Sequence, residues 1–504
     1  MPGLPALAHP PFADLRAFLD LIEARGQLRR IAEPVRVQLE VTELHRRVLS
    51  ANGPALLLEQ PILPDGQRSA MPMLVNLFGT VERVAWGLGI EPSALPTFGN
   101  AMAALRSPRP PRDIRTAWAQ RGMLRAALDM RPRTTHRSAC QECIEHGDAV
   151  DLGMLPVQWC WPDEPGPLIT WPLVITRSPD DPADINVGIY RMQVLGRQRA
   201  IMRWLPSRGG ARHHRLWQKL GQDMPVAIAI GADPATILSA VMPLPEGMNE
   251  LAFAGVLRGR PSLLARGVTV ALPVPASAEI VLEGKVSVTE TAPEGPYGDH
   301  TGYYNGVEPF PVVTIEAMTR RRDAIYLSTY TGRPPDEPSR LGEALNELFI
   351  PLARQEFPEI VDLWLPPEAC SYRTMVVSID KRYPGQARRV MMGLWSMLPQ
   401  FSMTKLIIAV DPDIGVRNWS DVLWALSTRF DAPRDLLVVP DTPIDYLDFA
   451  SAKPGLGGKL GLDATTKLGA ETDREWGRPL TMGADVMTRV DDLVGRLGLG
   501  AGRP

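Results

Sequence analysis

Asn186-Val-Gly-Ile-Tyr-Arg191, a short connection, then Met202-Arg-Trp-Leu-Pro-Ser-Arg208-Gly-Gly210: the fold of this chain turns on how these residues pair. Their alternation predicts two strands of one hairpin, joined through Leu195-Gly-Arg-Gln-Arg199 with Gly196 inside the turn. Arg191, Arg203 and Arg208 put three permanent cations on that hairpin, and Asn186 adds a neutral oxygen. Gly188, Gly209 and Gly210 let a ligand come close to the backbone. The chemistry that fits is an anionic cofactor, most simply a phosphate, held by arginine forks and a metal. The plain alternative is a solvated basic hairpin, because arginine-rich strands also occur on ordinary surfaces.

Two segments supply carboxylates to such a site. Asn249-Glu-Leu-Ala-Phe-Ala-Gly-Val-Leu-Arg258 reads as a helix with Glu250 in its first turn, where a carboxylate also answers the helix dipole. Ala292-Pro-Glu-Gly-Pro-Tyr-Gly-Asp-His-Thr-Gly-Tyr-Tyr304 reads as a rigid loop holding Glu294, Asp299 and His300, although solvated turns also carry acids. Asn186 and Glu250 together offer hard oxygen ligands for manganese or magnesium, with phosphate and water completing the shell. Strict alternation sets Asn186 and Arg191 on opposite strand faces. One cofactor can use both only by wrapping the strand's edge, or if a bulge intervenes near Gly188.

The rest of the chain divides into three parts. Leu15, Phe18, Leu19 and Ile22 recur at helical spacing within Phe12–Arg25, and Gly26 supplies a stop. A helix near Leu39–Leu49, strands at Ala55–Leu58 and Met73–Leu77, and a helix capped by Thr80 complete a small α/β region. It ends at the proline-dense linker Arg106-Ser-Pro-Arg-Pro-Pro-Arg112. From about residue 113 the pattern is mostly strand, with candidates at Ile169–Thr176, Val226–Ile230, Val268–Leu272, Glu279–Leu282 and Val312–Ile315. Many strands with Gly/Pro turns predict a barrel-like domain. The last third alternates: strand Thr374–Ile379, helix Ala387–Leu398, strand Leu406–Val410, helix Trp419–Phe430, strand Leu436–Val439. That order predicts a parallel α/β unit. Lys453-Pro-Gly-Leu-Gly-Gly-Lys459 lacks the spacing of a nucleotide loop and reads as an ordinary loop. Asp485–Leu497 reads as an amphipathic helix able to pack on another subunit.

Composition narrows the function classes. The chain has 504 residues, 45% hydrophobic and 22% charged, with a formal charge of −3. That is an ordinary globular balance with no field to recruit nucleic acid. The four cysteines are too few for a disulfide framework. Cys140-Gln-Glu-Cys143, near His136 and His146, reads first as a reduced loop at a domain start, with zinc as the lesser alternative, since Cys160 and Cys370 form no second pair. No apolar run reaches the ~18–20 residues that span a bilayer, and the N-terminus has no signal-peptide pattern. The expected location is the cytoplasm. A peripheral membrane position is the alternative, because Arg16, Arg25, Arg29 and Arg30 flank the apolar stripe of the first helix.

Taken together, the motifs resemble the UbiD family of decarboxylases, which use prenylated flavin. The likeness rests on Asn-x-Gly-Ile-Tyr-Arg, Met-Arg-Trp-Leu, Arg-Gly-Gly-Ala, Glu-x-Ala-Phe-Ala-Gly-x-Leu-Arg-Gly and Ala-Pro-Glu-Gly-Pro-Tyr-Gly-Asp-His-Thr-Gly-Tyr-Tyr-Asn. It runs from Asp14-Leu-Arg to Arg474-Glu-Trp-Gly-Arg-Pro479. On the way it takes in Ser328-Thr-Tyr-Thr-Gly-Arg-Pro-Pro-Asp-Glu-Pro338 and Asp441-Thr-Pro-Ile-Asp-Tyr-Leu-Asp-Phe-Ala-Ser451. The implied fold is multidomain α+β. It has an N-terminal α/β domain (1–112), a central split β-barrel like that of flavin reductases (113–325), and a C-terminal α/β domain with a terminal helix (326–504). The last is used in oligomerisation, often as a hexamer.

The resemblance also implies roles. Asn186 and Glu250 match manganese ligands that bridge to the flavin phosphate, with magnesium as the alternative ion and potassium as a further one. Ile189, Tyr190, Arg191, Arg203, Trp204, Leu205, Arg208 and Gly209 match flavin-binding positions. Asp299 matches the proton donor, with Glu294 and Arg191 as its charged partners. Some members add a metal-bound histidine here, for which His213 or His214 is available, the alternative being a surface pair. Opposed effects of Arg191 and Glu294 are expected to poise Asp299 near neutral pH. A flavin prenyltransferase is the implied cofactor supplier. The expected reaction is the ubiquinone-pathway one, decarboxylation of 4-hydroxy-3-polyprenylbenzoate to 2-polyprenylphenol. The alternatives are a smaller aromatic or heteroaromatic acid, or a non-catalytic flavin-binding assembly protein.

Overall fold

The computed structural model describes residues 5, 7–106, 128–206, 208–242, 244, 248–398 and 400–499. The proline-rich linker, past Arg106, and residues 1–4 lie outside them. The first helix spans Leu15–Ala24, and the Asp14 carboxylate accepts the Ala17 N–H at 2.9 Å to cap it. Its stripe of Leu15, Phe18, Leu19 and Ile22 is buried in the core. This corrects the membrane reading of the helix: its apolar face has no surface to offer. Arg16, Arg25 and Arg30 are likewise paired, with Glu279 and Asp323, Glu91, and Glu23. Among the described residues no helix is long and apolar enough to cross a membrane.

The N-terminal sheet orders Leu28–Ile31, Ala55–Leu58 and Met73–Val75, and its fourth strand is Tyr326–Leu327. The chain thus returns to the first domain after completing the second. One hydrophobic core runs through both, whereas the C-terminal domain has two clusters of its own.

The central domain is a nine-stranded sheet. Its path runs Ile185–Ile189, Leu173–Arg177, Met224–Ile230, Ile280–Glu294, Glu308–Arg320, Arg199–Met202, Met192–Val194 and Leu168–Ile169. Cys143–His146 pairs with Ala317–Arg320, so the expected Cys140–Cys143 loop is in part a strand. Leu168–Ile169 and Leu173–Arg177 are neighbours in sequence but lie near opposite ends of the path, and so do Ile185–Ile189 and Met192–Val194. Three residues reach at most about 10 Å. The two ends must therefore approach, and the sheet curls into a half-barrel with a seam.

That topology corrects the expected hairpin. Met192–Val194 does pair antiparallel with Arg199–Met202, through Met192↔Met202. Asn186 instead lies on an edge strand paired with Leu173–Arg177, opposite Thr176. Gly209 and Gly210 open a helix, Gly209–Leu220, and extend no strand. The alternation found the strand around Asn186, but the second expected strand ends at Met202, Arg203 to Leu205 lie outside any strand, and the pattern was silent about which partner each strand finds. Val268–Leu272, expected as a strand, is a turn region between strands.

In the C-terminal domain Thr374–Ile379, Leu406–Val410 and Leu456–Ala464 are parallel neighbours. Met375, Val377 and Ile407 face helix Gln386–Met397, and Val376, Ile408 and Val410 face helix Trp419–Arg429. Alternate side chains of a doubly covered sheet are apolar on both faces for this reason. Leu436–Pro443 pairs antiparallel at the edge, which corrects the all-parallel reading. Leu456–Lys459, read as loop, begins the third parallel strand. There the Lys459 ammonium donates to the carbonyls of Ser402, Thr404 and Pro443.

Candidate active site

Arg191 sits where the chain crosses the seam. The break between Ile189 and Met192 frees it from strand alternation, which removes the conflict over faces with Asn186. Its guanidinium is fully engaged. Nε donates to Glu294 Oε1 at 2.8 Å, Nη1 to Asp299 Oδ2 at 2.9 Å, and Nη2 to Asn305 Oδ1 at 2.8 Å. Two carboxylates thus share one rigid fork, which a lysine could not span. Glu294 is wholly buried and ends the long strand Ile280–Glu294.

The loop after Glu294 is shaped by its glycines. Gly295 and Gly302 adopt φ of 92° and 81°, the left-handed region that side chains avoid. The Asp299 N–H donates to Tyr303 and the Gly302 N–H donates back to Asp299, closing a tight turn. A Cβ on Gly298 would collide with the Trp161 indole. Glu164 fastens the turn from below: its carboxylate accepts the Cys160 N–H at 2.8 Å and the Gly298 N–H at 3.2 Å. Burial pushes that carboxyl up to about 7 despite these amides.

Asp299 Oδ1 also accepts from the His300 amide at 2.8 Å and from the His300 ring Nδ1 at 2.9 Å. Burial opposes its charge, but the His300 hydrogen bond and the charges of Arg191, His300 and Arg203 outweigh it. The group is held well below the usual carboxylate range. This corrects the expected near-neutral poise. Glu294 spends its charge on Arg191, and the cation that tips the balance, His300, was not counted.

Arg203 follows strand Arg199–Met202 and is buried over the rings of Phe310 (5.5 Å) and Tyr446 (5.4 Å). Its Nε stands 3.4 Å from Glu294 Oε2, yet among the described residues neither Nε nor Nη2 has a hydrogen-bond partner. Buried guanidinium N–H groups left unmet are expensive, and an anion would answer them.

A second cluster adjoins this one. Tyr190 OH accepts from the Gly210 amide and from Asn186 Nδ2, both at 3.2 Å, and its ring meets the Trp204 ring edge-on at 5.8 Å. Gly209 is bare against Asn186: a Cβ there would strike Asn186 Oδ1. Arg208 stands at the start of the same helix, Ile189 ends the edge strand, and Leu205 follows Trp204. The structure brings Asn186 beside Glu250, since the Val187 N–H donates to Glu250 Oε2 at 2.9 Å. Asn249 caps the helix that carries Glu250. Burial raises the Glu250 carboxyl to about 7, and among the described residues it forms no ion pair. No set of three His, Cys, Asp or Glu able to hold a metal occurs among them either. Asn186 and Glu250 are two oxygen-bearing side chains brought side by side, of the kind that could bind a hard cation.

His213 is buried, with Nδ1 2.8 Å from Thr176 Oγ1 and Nε2 3.3 Å from Asp184 Oδ1. His214 Nε2 lies 2.9 Å from the Ser287 carbonyl oxygen. Several residues of the site were not singled out in the sequence. Asn305 follows the Tyr303-Tyr304 pair of the acidic loop, and Asp445 and Tyr446 lie in the Asp441–Ser451 segment. Those motifs were the only signal for them. Nothing local marked Glu164.

The sequence matches the 3-octaprenyl-4-hydroxybenzoate carboxy-lyase N-terminal domain over residues 19–102, the Rift-related domain over 132–334 and the C-terminal domain over 339–464. Among solved structures it is similar to the UbiD-class enzyme HmfF from Pelotomaculum thermopropionicum in complex with FMN. The two are 28% identical, over 95% of this chain and 99% of that one, with a TM-score of 0.78. An evolved dimeric form of HmfF in complex with prFMN is 26% identical, over 95% and 100%, at 0.76. The vanillic acid decarboxylase of Sedimentibacter hydroxybenzoicus in closed form is 25% identical, over 97% and 100%, at 0.81. With all three domains matched in order, and the same three-domain α+β architecture around the seam, the chain belongs to the UbiD family of prenylated-FMN-dependent decarboxylases.

Proposed function

We propose that this chain decarboxylates 4-hydroxy-3-polyprenylbenzoate to 2-polyprenylphenol in ubiquinone synthesis, with prenylated FMN and a divalent ion. The observation that carries the reading is the single Arg191 guanidinium shared by Glu294 and Asp299. Direct loss of CO2 from an aromatic ring leaves an electron pair with nowhere to go, and the modified flavin supplies the sink that side chains lack. Asn186 and Glu250 would hold manganese, or magnesium, against the flavin phosphate, with potassium as a further ion. The unmet N–H groups of Arg203, and Arg208 with Gly209 at a helix N-terminus, suit an anion. Ile189, Tyr190, Trp204 and Leu205 complete the cradle. Asp299 acts as acid and base at the ring carbon, while Arg191 and Glu294 keep it aimed there.

The long tail is supported by exposed apolar side chains on and near the acidic loop. Tyr303, Val307 and Phe449 are more than half exposed, and Tyr303 and Phe449 contact each other edge-on at 5.9 Å. Met487, Val490, Leu493 and Leu497 of the terminal helix are also exposed, which suits a homo-oligomer such as a hexamer. A second reading, a small aromatic acid, is favoured by one of the similar structures, a vanillic acid decarboxylase. Co-expression with a flavin prenyltransferase, followed by CO2 release from aromatic acids with and without prenyl tails, separates the two. Fastest release from the tailed acid is expected. Release only from small acids would replace the first reading by the second, and release from none would sink both.

A further inference from the structure

The C-terminal segment Asp445–Phe449 closes on the acidic loop and on Arg203 through three contacts. Asp445 Oδ2 stands 3.3 Å from His300 Nε2, Tyr446 lies under the Arg203 guanidinium, and Phe449 meets Tyr303. Asp445 is itself anchored by Arg373 at 3.0 Å and by the Leu447 N–H at 3.0 Å. The His300 imidazole therefore stands between two carboxylates from two domains, hydrogen-bonded to Asp299 through Nδ1 and with Asp445 Oδ2 in ion-pair range of Nε2.

Among the described residues Asp299 accepts hydrogen bonds from the Arg191 guanidinium, the His300 amide and the His300 ring. Neither a guanidinium nor an amide surrenders a proton at neutral pH, and an imidazolium does. We propose that His300 carries the proton that Asp299 hands to the substrate, with Asp445 holding the ring in register. The proposal rests on the role of Asp299 given above.

The step balances without an oxidant or reductant. The Nδ1–H bond of the imidazolium breaks and an O–H bond forms on Asp299 Oδ1. The ring is left neutral, its remaining proton on Nε2 toward Asp445. Asp299 then gives its proton to the ring carbon that has lost CO2 and returns to the carboxylate. A water-borne acid restores the imidazolium, whose side chain is 20% exposed. One proton is taken up for each CO2 released.

The charges facing the ring favour its loaded state. Asp299 is on its own loop, and Asp445, with Arg373 behind it, comes from the C-terminal domain. Arg191 and Arg203 lie beyond Asp299, and Asp336 at the start of helix Glu337–Glu356 feels the same imidazole. Burial disfavours the imidazolium, but the two carboxylates lift it to about 9.

His300→Gln tests the proposal, because an amide can still donate to Asp299 but cannot carry a proton. In the flavin-loaded enzyme, with an aromatic acid the wild type turns over, kcat should fall roughly 100-fold while KM and flavin absorbance stay put. His300→Ala should regain roughly tenfold on adding imidazole, following the protonated form, and Asp299→Asn should gain nothing. In the cofactor-free chain, nitrogen NMR should show the His300 ring titrating above neutral, and Asp445→Asn should lower that midpoint. Wild-type kcat in His300→Gln, a His300→Ala loss that imidazole leaves unrepaired, or an ordinary His300 midpoint indifferent to Asp445 would each overturn the relay. Full turnover in Asp299→Asn would instead overturn the donor assignment beneath it.

Discussion

Two buried ionic clusters in this chain look alike in composition and differ in what they leave unmet. In the C-terminal domain Lys467 meets Asp435 and Asp463 at 3.1 Å each and the Asp463 carbonyl at 2.7 Å. Lys381 meets Glu471, Asp463 and Thr465, and Arg429 meets Asp411 and Asp413. Each lysine there finds as many acceptors as it has N–H donors. At the seam Arg191 is equally well paired, but among the described residues two Arg203 nitrogens are unmet and Glu250 has no cation. A closed network contributes to holding a fold, whereas an open one is completed by something that arrives.

Substitutions sharpen that contrast. The largest effect is expected from Asp299→Asn in the open cluster: a loss of roughly 10²–10⁴-fold in turnover, far beyond its cost in denaturant unfolding and with flavin still bound. Near-normal turnover would remove Asp299 from the chemistry. Lys467→Met should do the reverse. It takes the shared cation from Asp435 and Asp463, which keep Arg434 and Lys381, and should cost roughly 1.5–3 kcal/mol in denaturant unfolding. A cost under about 1 kcal/mol would mean that the closed cluster is not structural. Arg203→Gln is intermediate. Losing charge-assisted bonds worth about 1.5–3 kcal/mol should weaken flavin retention roughly 10–100-fold. Titration of the apo-protein with FMN reads this out, and an unchanged affinity would show that Arg203 does not face the cofactor.

The smallest effect concerns Lys459, closed over by three carbonyls and no carboxylate, which burial pushes down to about 8 from 10.5. A cation with a lowered folded-state pKa leaves the unfolded chain binding more protons between those values. Stability should therefore rise with pH from about 8 to 10.5. Lys459→Met should flatten that slope in denaturant curves taken across the range. Parallel slopes in the two proteins would mean that Lys459 titrates normally.

Much of the site was legible in advance, because its parts are local motifs. Asn186, Glu250, Glu294 and Asp299 stand out through their neighbours: a glycine-bearing strand, a capped helix turn, and a loop whose glycines must take positive φ. What misled was pairing. Period-two alternation placed Asn186 and Met202 in one hairpin, and it cannot tell which strand a neighbour will choose. The ionisation of Asp299 was misjudged for a similar reason, since the Asp445 that helps hold His300 lies far along the chain.

Sequence alone determined many of the segment types, the buried stripe of the first helix, the two-faced apolar strands of the last domain and the identity of the acidic and basic residues, because periodicity and turn chemistry act over a few residues. Only the tertiary structure decided that the sheet curls until its ends meet, that Arg191 falls in the resulting seam, and that a C-terminal aspartate reaches the imidazole beside Asp299. Those outcomes depend on long-range strand order and on burial, which bring distant charges within a few ångströms and let each reset the others' protonation.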